Sequence, residues 1–348
     1  MSRPRVAIVG AGSIGCYVGG HLAPFADITL IGRPRVIDAV RERGLTVTTL
    51  EGTRRHVPAD KLRLETEICA VAGHDLVLLT TKAVDNDDIT AQIGPYLTAE
   101  SLVISLQNGV RNVSVLEEGL QRSFPSRASR PLVLSGIVHH NVVADDPATY
   151  QATTSGGITV KDHPRADPFV QIARRAGLHV DVRGDMRGAL IGKLLLNLNN
   201  AINALSGRTL REELRDRDYR RVLAGAQEEA IAVSKAAGVT PDRTGPLPAA
   251  LVPYVLRAPT PVFVALARTS LRVSPHARSS MADDLERGRR TEIDELQGVV
   301  VVLGERYGIP TPVSERLVEL VVDAEQQAIA GKDVPRYTGP QLREAVGL

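Results

Sequence analysis

Gly10-Ala11-Gly12-Ser13-Ile14-Gly15 is a G-x-G-x-x-G run that follows the apolar stretch 6–9 and precedes a segment containing Gly19 and Gly20. In that setting each glycine has a separate task. Gly10 permits the tight turn, Gly12 removes a side chain where a pyrophosphate must approach, and Gly15 lets helix and strand pack closely. Together with Ala11, Ser13 and Ile14 they place N–H groups at a helix start, facing phosphates. The next strand, DITLIGRPR at 27–35, ends without the Asp or Glu that bonds a ribose 2′-hydroxyl. Arg33, with Arg35 beside it, is suited to a 2′-phosphate, so NADP(H) is favoured over NAD(H) as cofactor.

Three further groups of polar residues have useful spacing. The runs LVLLTTK and LVISLQNG deliver Lys82 and then Gln107, Asn108 and Gly109 at strand ends, where open α/β sheets bind their ligands. Lys193, Asn197 and Asn200 return to one face of a helix, while Asn199 points the opposite way and Asn203 lies to one side. Amides on an otherwise apolar helix need partners, which either a ligand or the neighbouring domain would supply. In SSMADDLERGRRTEID, 279–294, one continuous helix would hold Ser280 and Glu292 about 18 Å apart. Gly288 interrupts it, and Thr291-Glu292-Ile293-Asp294 fits a capping-box start, so a bend before Thr291 would bring the two together.

These residues need elements to hold them. Short β-branched runs at 6–9, 28–31, 76–80, 102–106, 132–138 and 158–160 alternate with helical patterns such as RVIDAVRERG, 35–44, closed by a glycine. That alternation predicts an α/β fold with an N-terminal Rossmann-type doubly wound sheet. Strand signals stop near Gly184, and long helical patterns take over, including 211–238 read as one helix. The expected boundary therefore divides 1–184 from a C-terminal all-helical domain, 185–348. The prolines from Pro241 to Pro261 interrupt the helical pattern after 238.

Composition excludes other classes. With 42 basic and 40 acidic residues and 3% aromatics, neither a nucleic-acid nor a membrane module has a supporting feature. Cys16 and Cys69 offer no disulfide framework and no metal-ligand spacing, so no metal is expected. A soluble, cytoplasmic setting follows. No pairing seam is readable, which leaves a homodimer through the helical domain open.

The pieces GAGSIG at 10–15, TTKA around Lys82, QNGV around Asn108, GKLLLN around Lys193 and SSMADDLERGRRTEID occur in an order that resembles the ketopantoate reductase (2-dehydropantoate 2-reductase) family over nearly the whole chain. The resemblance implies an NADP-binding Rossmann domain, a helical substrate domain, and NADPH-dependent reduction of a 2-oxo acid. In that family the reaction is ketopantoate to pantoate, a step toward pantothenate and coenzyme A. It implies that Lys193 polarises the ketone and donates the proton, with Glu292 in the catalytic set. Asn108 and Lys82 then lie near nicotinamide and substrate, and Asn197 and Ser280 contact the substrate. Gly10, Gly12, Gly15 and Arg33 match the cofactor positions.

The chain departs from the family at one place. The family commonly has a second asparagine eight residues after the lysine, followed by proline; here Ala201 and Ile202 stand there, and Asn200 is the nearest substitute. Ketopantoate leads as substrate, with a different 2-oxo acid or carbonyl as the alternative. A non-catalytic NADP(H)-binding sensor is the alternative from another class. It would be free to lose Lys193, Asn108 or Glu292, and all three are present.

Overall fold

The apolar runs of the first half become strands because both of their faces are buried. Strands β1 (Arg5–Val9), β2 (Asp27–Ile31), β3 (Leu45–Thr48), β4 (Arg54–Val57), β5 (Leu62–Glu65), β6 (Leu76–Leu79), β7 (Leu102–Ser105), β8 (Leu132–Val138), β9 (Val142–Asp146), β10 (Thr149–Ala152), β11 (Ile158–Lys161) and β12 (Val180–Arg183) form two sheets. The larger has the order β12-β11-β8-β7-β6-β1-β2-β5. It is parallel from β5 through β8 and mixed beyond, where β11 runs antiparallel to β8. Side chains alternate between two cores: Val6, Ile8, Leu78 and Ile104 enter one, and Ala7, Val9, Val77 and Val103 the other. A period of two with both faces buried produces the unbroken apolar runs.

The computed structural model describes residues 3–243, 245–267 and 277–348. The chain divides into two units, Met1–Met186 and Arg187–Leu348. In the first, helices α1 (Ser13–Leu22), α2 (Pro34–Arg43), α3 (Asn86–Ile93), α4 (Asn112–Leu120) and α5 (Asp167–Arg175) flank the large sheet. Gly44 follows α2 at φ +73°, the left-handed stop its position in the sequence calls for. The chain steps from β1 outward to β2 on one side and to β6 on the other, so the glycine turn after β1 sits at the topological switch point. The smaller sheet, β4-β3-β10-β9, packs on α1 and was not legible in the sequence.

The described residues of the second unit are helical: α6 (Arg187–Asn197), α7 (Asn199–Ser206), α8 (Leu210–Arg215), α9 (Arg217–Ala236), α10 (Val252–Arg257), α11 (Thr260–Leu266), α12 (Ser280–Glu286), α13 (Gln297–Tyr307), α14 (Pro312–Ile329) and α15 (Gly339–Ala345). Three expectations change here. The pattern at 211–238 is two helices, because extended Asp216 ends α8 and caps α9 by accepting from Asp218 N at 2.8 Å. The helix expected from Thr291 begins at Gln297. Thr291 Oγ1 instead accepts from Ile293 N at 3.4 Å, and a short 3-10 turn at Ile293–Glu295 intervenes. The face shared by Lys193 and Asn200 is divided, since Leu198 lies in neither α6 nor α7.

The proline-rich stretch folds as α10 and α11, with prolines in their first turns. Fully buried Arg220 of α9 ties this stretch down, donating to Leu256 O at 3.0 Å and Ala258 O at 2.9 Å. No described helix is long and apolar enough to cross a membrane.

Candidate active site

The glycine turn assembles as its spacing requires. Gly10 has φ +107°, and a Cβ there would lie 2.6 Å from Thr81 N. Gly10 N and Ala11 N both donate to Ile31 O, and Thr80 Oγ1 donates to Gly10 O at 2.7 Å. A Cβ on Gly15 would stand 2.2 Å from Gly10 O, so that glycine is needed by the protein itself. Gly12 differs: a Cβ there would meet nothing within 4 Å. It caps α1 without a side-chain hydrogen bond, and the N–H groups of Ser13, Ile14 and Gly15 have no acceptor one turn earlier. An open cradle with spare donors at a helix N-terminus fits a pyrophosphate.

The end of β2 runs against this turn. A Cβ on Gly32 would lie 2.4 Å from Ala11 Cβ, so Arg33 leaves the sheet beside the cradle. Arg33 and Arg35 are exposed, and neither guanidinium has an ion pair or hydrogen bond among the described residues. That arrangement fits a ribose 2′-phosphate.

Lys82 and Asn108 follow the ends of β6 and β7, neighbouring strands of the same sheet. A buried amide chain joins their loops. Ser105 Oγ donates to Gln107 Oε1 at 2.9 Å, Gln107 Nε2 to Asn86 Oδ1 at 2.7 Å, Asn86 Nδ2 to Asn112 Oδ1 at 3.0 Å, and Asn112 Nδ2 to Asn108 O at 2.8 Å. Gln107 Nε2 also reaches Lys82 O at 3.4 Å. Sequence reasoning missed Asn86 and Asn112, which look like solvated helix starts.

In the helical unit, burial pulls the ammonium of Lys193 down to about 8. The four asparagines divide into two pairs. Asn203 Nδ2 donates to Glu213 Oε2 at 2.6 Å, and Asn199 also bonds that carboxyl, so both serve the fold. Burial pushes Glu213 up to about 8. Asn197 and Asn200 are partly buried. Asn203 Oδ1 accepts from Ser279 N at 2.8 Å, and Ser279 Oγ donates to Asn200 O at 3.1 Å. Ser279 also caps α12, accepting from Ala282 N at 3.1 Å. Exposed Ser280, the first residue of α12, is therefore brought beside the α7 segment carrying Asn200. Gly288 turns the chain at φ +58°, Thr291 N donates to Glu325 Oε2 at 2.6 Å, and Glu292 follows, partly buried. Sequence reasoning missed Glu213 and Ser279, although a capping Ser before α12 was there to be read.

A switch-point glycine cradle on a doubly wound sheet, joined in one chain to a helical unit bearing a desolvated lysine, defines a Rossmann-type dinucleotide-dependent oxidoreductase. The family profile for ketopantoate reductase PanE/ApbA matches residues 6–165, and that for the ketopantoate reductase PanE/ApbA C terminal matches residues 185–325. The chain belongs to the ketopantoate reductase family. A 2-dehydropantoate 2-reductase of Pyrococcus horikoshii is 28% identical, covering 91% of this chain and 96% of its own. The solved PanE/ApbA family ketopantoate reductase of Ralstonia eutropha JMP134 superposes with a TM-score of 0.78 at 31% identity, covering 93% of this chain and 99% of its own. A D-mandelate dehydrogenase in complex with NADH and anilino(oxo)acetate shares the fold, with a TM-score of 0.75 at 20% identity over 93% of this chain and 99% of its own.

Proposed function

We propose that this protein reduces a 2-oxo acid to the 2-hydroxy acid with NADPH, ketopantoate being the first substrate to test. The observation that carries this reading is Lys193, a lysine with its pKa drawn to about 8 at the family's catalytic position. When bound, the reduced nicotinamide supplies the hydride. Gly10, Ala11, Gly12, Ser13, Ile14 and Gly15 hold the phosphates, Arg33 holds the 2′-phosphate, and Lys82 and Asn108 line the nicotinamide end. Reduction builds negative charge on the carbonyl oxygen, and the Lys193 ammonium stabilises that charge and then delivers its proton. A lysine near 8 is mostly protonated at neutral pH yet gives up its proton more readily than an exposed one. Asn197, Asn200 and Ser280 orient the acid and its side chain, and Glu292 completes the polar set around the reacting groups.

The test follows NADPH absorbance with ketopantoate and with a panel of other 2-oxo acids. Efficient oxidation, with NADH much poorer, supports the reading, and Arg33→Ala should then erase most of the NADPH preference. Turnover of another acid in place of ketopantoate would favour the second reading, for which fully buried Ala201, with no amide to offer, is the specific support. NADPH binding with no turnover of any acid would favour a sensor.

Two finer points belong to the same proposal. Tyr254, Val262 and Leu266 on α10 and α11 are 70%, 48% and 60% exposed, an apolar face suited to pairing two copies through the helical unit. Light scattering before and after Tyr254→Lys tests it. Cys16 is buried and Cys69 exposed, both as free thiols, in keeping with a reducing cytoplasm.

A further inference from the structure

From Lys193 to Ser206 the sequence contains neither proline nor glycine, yet Leu198 belongs to neither α6 nor α7. The asparagines on either side of Leu198 weaken the helix there, but propensity alone does not fix where the ladder is interrupted. The break coincides with two side-chain amides arriving from other helices. Gln227 of α9 donates its Nε2 to Leu195 O at 3.0 Å, and Gln297 at the start of α13 donates its Nε2 to Leu198 O at 2.7 Å. In an unbroken helix those carbonyls would be taken by the N–H groups of Asn199 and Ile202. Both glutamines are buried, at 5% and 0% exposure, and neither Oε1 has a hydrogen-bond partner among the described residues. A buried amide with its acceptor left bare is a poor stabiliser. What the fold keeps is the position of the donor.

That position matters for the residues on either side. In a continuous helix Asn200 would stand about 10 Å along the axis from Lys193, far apart for one small acid. The roll of α7 is fixed by Asn199 and Asn203 on Glu213, and Ser279 ties Asn200 O to the start of α12. Where α7 begins therefore decides where both Asn200 and Ser280 stand. Leu198 itself keeps helical dihedrals, φ −56° and ψ −23°, and its N–H bonds Leu194 O at 2.9 Å, so it is the hydrogen-bond ladder that is interrupted. We infer that Gln227 and Gln297 are positioning residues that keep the ladder interrupted at the α6–α7 junction, set the offset of Asn200 and Ser280 from Lys193 and Asn197, and so select the side chain of the 2-oxo acid. The selection rests on the 2-oxo acid reading above; the junction itself does not.

Gln297→Leu keeps the volume and removes the donor, and Gln227→Leu does the same at the other carbonyl should the first variant not fold. Ala201→Pro lies in the first turn of α7, where a missing N–H costs little, and breaks the ladder without a glutamine. Gln297→Leu should raise KM for the preferred acid about tenfold, with kcat within about threefold and NADPH affinity unchanged. Adding Ala201→Pro should return KM to within about threefold of wild type, a rescue that a merely stabilising glutamine would not show. An unchanged KM in the glutamine variants, or a double variant worse than the single, overturns the inference.

Amide hydrogen exchange reads the junction without turnover. Ile202 should exchange about tenfold more slowly in Gln297→Leu, and Asn199 in Gln227→Leu, as each freed carbonyl takes its own N–H, and both should recover when Ala201→Pro is added. If wild type reduces no 2-oxo acid while exchange behaves in this way, the functional reading fails and the junction stands. If turnover is present and exchange does not respond, the junction fails alone.

Discussion

At the scale of single residues, burial and function pull against each other at Lys193. Its ammonium has a pKa of about 8 folded against 10.5 for the free side chain. Between those values the unfolded chain holds the extra proton, so this group makes stability rise with pH across that window. Below pH 8 the folded protein carries the full cost of a desolvated ammonium, on the order of 2 kcal/mol for a partly buried group. Lys193→Met should thus lower turnover by about a thousandfold while raising Tm at pH 7 by roughly 3–6 °C. The gain should shrink to nothing above pH 10.5, and calorimetry at several pH values checks it. The glycines separate the same two demands at neighbouring positions. Gly12→Ala meets open space and should leave Tm within about 1 °C while weakening NADPH binding more than tenfold. Gly15→Ala drives a Cβ onto Gly10 O and should cost several degrees even with no ligand present. Equal losses of Tm in the two variants would mean that Gly12 is kept for packing.

Elements show what a linear reading can and cannot reach. Strands β6 and β7 were legible because two cores make nearly every side chain apolar, Ser105 being the exception, and α2 was legible from its glycine stop. Strand β4, Arg-Arg-His-Val, carries no such pattern; it exists because β3 pairs with it and α1 covers it, and those are non-local facts. The break between α6 and α7 was hidden for the same reason, since its causes lie at Gln227 and Gln297. The site was legible residue by residue, in its glycines, Lys82, Asn108 and Lys193, but the residues that hold these in place were not. Glu213 is the clearest case. In REELR it reads as a surface charge, yet it is 1% exposed and bound to two asparagines. Its carboxyl has a folded pKa of about 8 against 4.5 for the free group, so the folded state holds a proton the unfolded chain has lost. Stability from this group is fully present below pH 4.5 and falls as pH rises through 8. Gln cannot ionise, and Asn199 can turn its unpartnered Oδ1 toward the new amide. Glu213→Gln should match wild type below pH 4.5 and exceed it by on the order of 2–4 kcal/mol at pH 9, measured by urea unfolding. A variant that instead loses stability relative to wild type as pH rises from 4 to 9 would show that the ionised carboxylate is the form the fold uses.

At the scale of the whole molecule the labour is divided by chain order. Every residue proposed to hold the dinucleotide lies before Met186, and every residue proposed to deliver the proton or take the acid's side chain lies after it, apart from Asn108 at the strand end. Both cores of the first unit are drawn from its own residues. A unit with its own cores should fold by itself, so residues 1–186 expressed alone should unfold cooperatively. Ligand at a hundred times its Kd adds about 2.7 kcal/mol to whatever binds it. NADPH at that level should raise the Tm of the isolated unit by roughly 5–10 °C, NADH should do much less, and 2-oxo acids should do nothing. The same fragment should show no turnover, because it lacks Lys193. A folded fragment indifferent to NADPH would mean that the cradle and Arg33 are insufficient, and that residues after Arg187 are needed to hold the cofactor.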